Sequence, residues 1–184
     1  MMNGLSDKNL LAAFGGGDAE AFKMLYARHV RALTAYLLGM LGDRSAVDEI
    51  IQQVFIGFAS RAGRLPGNSN VRGYLLASAR NRLANFYRDQ ARNDSLERNY
   101  EMLARSREGN HHDASAALEA EEARKQLNRA LSKLADAELE VVLLHTQGEL
   151  SFTEIAAALE IPRGTAASRY RAAITRLRGL LDHE

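Results

Sequence analysis

Residues Ser151 to Leu181 read SFTEIAAALEIPRGTAASRYRAAITRLRGLL, and this stretch decides the fold. Ser151-Phe152-Thr153-Glu154 fits a capping box, in which the serine oxygen accepts a backbone N–H and the glutamate reaches back to the N–H of the serine. Ile155, Ala156 and Leu159 then recur at helical spacing, with Ala156 small where two helices must approach closely. Ile161 plugs a turn, and Pro162 suits the first position of a second helix because it has no N–H to leave unbonded. That helix is expected to bury Ala166, Tyr170, Ala173, Ile174, Leu177 and Leu181. Its other faces carry Arg163, Arg169, Arg171, Arg176 and Arg178. A short helix, a tight turn and an arginine-studded second helix make a helix-turn-helix, whose second helix enters the DNA major groove. An ordinary helical hairpin with a basic face would carry the same pattern. The turn position that usually favours glycine is Glu160, where a left-handed backbone carries strain on the order of 1 kcal/mol.

Helical spacing extends upstream. Asp136 is placed to cap a helix with Leu139, Val142 and Leu143 inward, and a helix before it, beginning near Leu118, turns Leu118, Leu127, Ala130, Leu131 and Leu134 inward. From Asp94 to about Ala117 the pattern weakens, and Glu108-Gly109-Asn110-His111-His112-Asp113 is polar throughout. This segment reads as a flexible linker of about 25 residues spanning roughly 25–30 Å. In the N-terminal half Phe22, Leu25, Tyr26 and Val30 share one face, as do Leu33, Tyr36, Leu37 and Leu41. A third run carries Val47, Ile50, Ile51, Val54, Phe55 and Phe58, and a fourth carries Tyr74, Leu75, Leu76, Ala79, Leu83 and Phe86, ending near Arg92. Gly15-Gly16-Gly17 reads as the end of a first helix. The two prolines, Pro66 and Pro162, both fall at breaks in pattern, and no period-two alternation marks a strand. The expected fold is all-α: a helical domain over residues 1–93, a linker over 94–117 and a helix-turn-helix domain over 118–184.

An apolar content of 46% is that of a globular protein, which argues against disorder throughout. Without cysteine, disulfides, a thiolate zinc site and a cysteine nucleophile are excluded, and a reducing cytosol is compatible. Met1 to Leu11 lacks an apolar stretch after a basic one, so no signal peptide is expected, and no apolar run reaches the roughly 20 residues of a membrane helix. A cytoplasmic location follows as an expectation. The net charge of +1 is the sum of opposed patches. Arg61 to Arg98 holds eight arginines against three acids, Arg163 to Arg178 five arginines and no acid, and Asp136 to Glu154 five acids and no Lys or Arg. Such patches suit a chain that meets both a polyanion and another protein, although solvated helix faces look alike.

Three stretches carry a family resemblance. Ser151 to Leu181 resembles the promoter-binding fourth domain of sigma-70 family factors, and LSKLADAELEVVLLHTQGEL before it looks like the helices that lead in. DEIIQQVF, Asp48 to Phe55, resembles the polymerase-binding helix of that family. YLLASARN, Tyr74 to Asn81, resembles the aromatic-leucine-to-Ala-Arg-Asn stretch of its second domain. The order and spacing leave no room for an intervening third domain, so the chain resembles the compact extracytoplasmic-function type. Tyr74 stands where the family usually has Trp, Gln53 where it has an acid, Ala135 for a frequent Pro, and Ala166 and Ala167 for a common Val and Lys.

The resemblance implies a sigma factor that binds core RNA polymerase and directs it to promoter DNA, performs no chemistry itself and needs no cofactor. An anti-sigma protein is a further expected partner, and no membrane insertion is expected. By resemblance, Glu49, Ile50, Gln52, Gln53 and Phe55 dock on polymerase, with internal packing as the other role for Ile50 and Phe55. Gly67, Asn68, Ser69 and Asn70 form a loop able to hold an unstacked minus-ten base. Arg72 closes that loop and belongs to the same minus-ten site, Tyr74 offers either a stacking surface or a core residue, and Arg80, Arg82, Arg88 and Arg92 chiefly contact phosphate. At the minus-thirty-five element, Arg163 and Arg169 reach base edges, Thr165 and Ser168 bond phosphate or base, and Arg171 and Arg176 touch backbone.

The alternative of the same class is an autonomous helix-turn-helix regulator whose N-terminal half senses a ligand or dimerises, against which the Asp48–Phe55 and Tyr74–Asn81 motifs argue. An enzyme has less support. His111-His112-Asp113 are adjacent linker residues, not a preorganised metal site, so no metal is expected. His29 and His145 read as packing or surface residues. Ser151 has its capping role, and the glycine run lacks a Walker lysine and a preceding strand.

Overall fold

The computed structural model describes residues 5–66, 69–96 and 116–182. They form eight α-helices and one 3-10 turn, with no strand among the described residues. The chain divides into two units, residues 1–105 and 106–184. His111, His112 and Asp113, with most of the expected linker, lie outside the described residues.

The first unit holds α1 (Asp7–Gly15), α2 (Ala19–Leu41), α3 (Arg44–Arg61) and α4 (Val71–Leu96), with the 3-10 turn Ala62–Arg64 after α3. Each of the first three helices starts on a side-chain cap: Ser6 accepts from the N–H of Asn9, Asp18 from Glu20 and Asp43 from Ser45. α1 ends within the glycine run, as its sequence indicates. α2 ends at Gly42, whose φ of 73° is open to glycine without strain and lets its N–H bond Leu38 O. α2 packs on α1, α3 and α4, and α3 packs on α4. Phe58, fully buried, is the hub: its ring lies 6.3 Å from Phe14, 6.5 Å from Phe22 and 5.9 Å from Tyr74. The Tyr87 hydroxyl donates to Met40 O at 2.9 Å and ties α4 to the end of α2. α4 runs to Leu96, four residues past its expected end. Tyr26 is 40% exposed and does not join Leu25 in the core.

α1 is held by charge as well as packing. Asp7 accepts from Arg28 Nη1 and from His29 Nε2, the latter at 2.7 Å, while Arg28 Nη2 donates to Leu5 O at 3.0 Å. His29 is 1% exposed, and its Nδ1 has no hydrogen-bond partner. Burial pushes His29 below its ordinary value of 6.5, Arg72 of α4 and Arg28 add to that, and Asp7 only partly opposes it. Burial would raise Asp7, but hydrogen bonds and charge from Arg28 and His29 overcome it, and its pKa lies below the ordinary 3.8. The Asp7 contribution is therefore present above pH 3.8 and is lost as pH falls through its folded value. The unfolded chain protonates His29 first, so stability also falls as pH drops below 6.5. Both effects make acid loosen α1. Asp7→Asn should destabilise the first unit by roughly 1–3 kcal/mol at neutral pH and remove the lower step of the pH profile. Urea unfolding as a function of pH checks this, and an unchanged midpoint at pH 7 would contradict it.

The second unit holds α5 (Ala116–Ser132), α6 (Asp136–Thr146), α7 (Phe152–Leu159) and α8 (Arg163–Leu181). α8 contacts the other three. α6 buries five residues, Leu139 and Val141 to Leu144, on more than one face because α7 and α8 pack around it. Its cap is Ala135, not Asp136. Ala135 has no side-chain acceptor, and its N–H instead donates to the Glu138 carboxylate at 3.3 Å. Leu127 and Leu181, expected inside, are 44% and 42% exposed. Among the described residues, no neighbour of α5 or of the end of α8 covers these two positions.

Candidate functional site

The helix-turn-helix is built as its residues dictate. Ser151 Oγ accepts from Glu154 N at 3.3 Å, and Ser151 N donates to Glu154 Oε2 at 2.8 Å, closing the capping box of α7. Glu160 adopts the left-handed conformation, φ 54°, and Ile161 N bonds back to Ala156 O. Pro162 is the cap of α8 rather than its first residue, and its carbonyl accepts from Thr165 N and Ala166 N. Ala156, Ala166 and Ala173 are buried at the contacts of α8, where small side chains permit close approach. His145 braces the motif. Its Nδ1 donates to Leu150 O at 2.8 Å, and its ring lies 4.8 Å from both Phe152 and Tyr170.

The outer residues of α8 are not equivalent. Arg163, Ser168 and Arg171 are exposed, Thr165 and Arg169 half-buried. The Ser168 hydroxyl donates to Thr165 O at 3.0 Å, and Arg171 Nε to Ala167 O at 3.4 Å. Arg169 and Arg176, seven residues apart, share a flank of the helix away from Arg171. Arg176 Nη1 is bound to Glu138 Oε2 at 3.0 Å, and the Glu138 side chain is only 15% exposed. One carboxylate thus caps α6 and fixes α8. The Arg176 partner lies 38 residues away in sequence. Glu138, three residues after its cap, carried a capping signal that the sequence reasoning passed over in favour of Asp136.

In the first unit the polymerase-docking residues separate by face. Ile50 and Phe55 are 4% and 3% exposed, so of their two roles they fill internal packing. Gln52 is exposed beside an apolar groove of about 560 Å³ between α2 and α3, lined by Phe22, Tyr26, Val30, Ile51, Phe55 and Ile56. Ile56 is 62% exposed. Sequence reasoning missed it, although it sits one helical turn after Gln52. Arg44 and Asp48, which also line the groove, pair at 3.1 Å. Glu49 and Gln53 lie on another flank: Gln53 Nε2 donates to Glu49 Oε1 at 3.0 Å, and Gln53 Oε1 accepts from Arg82 of α4 at 2.8 Å.

Gly67 and Asn68 lie outside the described residues. Ser69 N closes a turn on Pro66 O. Asn70 Oδ1 accepts from Gly73 N at 2.9 Å and starts α4 as its cap, so this oxygen is engaged within the protein. A Cβ on Gly73 would lie 3.2 Å from the Asn70 amide group, which crowds the cap. Tyr74 is half-buried against Phe58, between its two expected roles. On α4, Arg72 and Arg80 are half-buried, Arg82 and Arg88 are exposed, and Arg88 bonds Asn85 at 2.9 Å. Arg92 lies on the same helix. Arg80 and Arg82, two positions apart, project from different flanks, so these arginines do not form one stripe.

Among the described residues no group of three or more His, Asp or Glu is placed to hold a metal, and no helix is long and apolar enough to cross a membrane. The sigma-70 region 2 model matches residues 25–93 and the sigma-70 region 4 model residues 130–179. The RNA polymerase sigma factor CarQ of Myxococcus xanthus is 30% identical over 170 residues, covering 91% of this chain and 93% of CarQ. Among solved structures, CnrH in complex with the cytosolic domain of CnrY is similar at TM-score 0.70 and 24% identity, over 97% of this chain and 98% of that one. The sigma factor RpoE in complex with the anti-sigma factor NepR from Bartonella quintana is similar at TM-score 0.74 and 20% identity, over 89% and 98%. These two likenesses bear on the fold alone. Two regions matched in order, with residues 94–129 between them, and a relative similar over nearly its whole length place the chain in the sigma-70 family of RNA polymerase sigma factors, with the two-region layout of its extracytoplasmic-function group.

Proposed function

We propose that this sigma factor holds core RNA polymerase with residues 1–93, reads duplex promoter DNA with residues 118–184, and joins the two through residues 94–117. The observation that carries the proposal is the presence in one chain, in family order, of a region 2 unit with an open apolar groove and a region 4 unit with an arginine-bearing recognition helix. The groove, rimmed by exposed Tyr26, Gln52 and Ile56, offers polymerase an apolar seat, with Glu49 supplying charge on the neighbouring flank. Arg72, Arg80, Arg82, Arg88 and Arg92 place positive charge along α4 for minus-ten DNA, with Ser69 and Asn70 at its start. Arg163, Ser168 and Arg171 face the minus-thirty-five element. Thr165 and Arg169 flank them, and Arg176 acts through Glu138.

The chain performs no chemical step, works in the cytoplasm beside polymerase, and is held inactive by an anti-sigma protein, the kind of partner with which the similar RpoE was solved. Run-off transcription with core polymerase on a promoter library tests the proposal. Core polymerase plus this chain should initiate at a defined subset of promoters on which core alone is silent. No gain over core alone would refute it.

A further inference from the structure

On α3, Glu49, Gln53 and Gly57 follow at four-residue intervals and line one flank of the helix. Across from them, Arg82 of α4 places Nη1 2.8 Å from Gln53 Oε1, and a Cβ on Gly57 would lie 3.8 Å from Arg82 Nη2. The guanidinium therefore rests over the bare backbone of α3 and is gripped one turn away by the amide. That amide is oriented in turn, because its nitrogen donates to Glu49 at 3.0 Å. A flipped amide would set its NH₂ against the guanidinium donors and its oxygen against the carboxylate, so only one orientation satisfies both neighbours.

We infer that Gln53 is a positioning residue that fixes a DNA-contacting arginine, Arg82, from the polymerase-binding helix. It rests on the proposed assignment of Arg82 to promoter DNA. The chemistry of the amide is what makes the arrangement useful. A carboxylate at position 53 would hold the guanidinium as an ion pair and cancel much of its charge. A neutral oxygen holds it in place and leaves the full positive charge for phosphate. The seam also joins two surfaces: whatever engages Glu49 acts on the partner that orients Gln53, and through it on Arg82.

The test uses the full chain bound to saturating core polymerase, so that differences in core affinity do not enter, and measures promoter binding across a salt series. Arg82→Ala should weaken binding to all promoters similarly and reduce the salt slope by about one. Gln53→Glu should reduce the slope by a similar amount although Arg82 is still present. A residue with a merely structural role would not move that readout. Gln53→Ala should weaken binding roughly three- to tenfold, and the double Gln53→Ala, Arg82→Ala variant should bind no worse than Arg82→Ala alone. Losses that multiply in the double variant, or an unchanged slope in Gln53→Glu, would overturn the inference while leaving the function intact. An Arg82→Ala variant with wild-type affinity and slope would overturn the assignment of Arg82 to DNA along with the inference.

Discussion

Phe58→Ala is expected to destabilise the first unit by about 3–5 kcal/mol and to lower its thermal midpoint by about 15–30 °C. The ring is fully buried and meets aromatic side chains from three other helices: Phe14 of α1, Phe22 of α2 and Tyr74 of α4. Truncation removes a fully buried ring at their meeting point and leaves a cavity that four helix backbones cannot close without shifting. Edge and offset-stacked ring pairs add roughly 0.5–1.5 kcal/mol each beyond area. A loss of 3–5 kcal/mol is a large share of the stability of about 5–15 kcal/mol typical of a small domain. Calorimetry of the full chain should show one transition displaced and the transition of the second unit unmoved. A shift of under about 5 °C, corresponding to roughly 1 kcal/mol, would contradict the assignment of Phe58 as the hub.

Arg171→Ala and Arg176→Ala should part company. Both were read from sequence as backbone contacts, but only Arg171 is exposed without an acidic partner in the described contacts of α8, whereas Arg176 is bound to Glu138. Arg171→Ala should lose about 1–3 kcal/mol of binding at promoters that depend on the minus-thirty-five element, which is about five- to 150-fold. If it contacts phosphate, the loss is uniform across sequences and the salt slope falls by about one. If it reads a base, preference relaxes at one position. Arg176→Ala should leave promoter affinity and salt slope nearly unchanged and instead destabilise the second unit by roughly 1 kcal/mol, since the pair is partly solvated. A promoter-variant screen beside thermal melting separates them. A loss of promoter affinity in Arg176→Ala with none in Arg171→Ala would reverse the assignment.

Local rules were legible in the sequence because they act within a few residues. The capping box at Ser151, the left-handed turn at Glu160 and the end of α1 in the glycine run all depend on neighbours in the chain. Core periodicity was legible for Leu139, Val142 and Leu143, and for the inner stripe of α3. What escaped was set by partners distant in sequence. Arg176 is held by Glu138 of α6, 38 residues away, and Gln53 by Arg82 of α4, 29 residues away, contacts that no local pattern announces. Asn70, expected in a base-holding loop, also begins a helix through its oxygen, which accepts from Gly73 N. Leu127 and Leu181 show the converse: periodicity marks a face as apolar but does not supply the neighbour that covers it. The family resemblance implied a docking role for the whole Glu49–Phe55 stretch, and burial alone separated Ile50 and Phe55 from the surface residues beside them.

We further propose that promoter specificity arises when core polymerase, held by the first unit, fixes both units on one body, since a single helix-turn-helix gives a limited interface and most users of the motif gain affinity by dimerising. Fixing both units on one body raises the effective concentration of each for its DNA element without any new contact. A footprint on a promoter fragment at physiological salt, with and without core polymerase, tests this most directly. The account predicts weak or no protection by the chain alone, and protection of both promoter elements once core polymerase is added. Strong, sequence-specific protection by the chain alone, unchanged by core polymerase, would contradict it and favour an autonomous regulator.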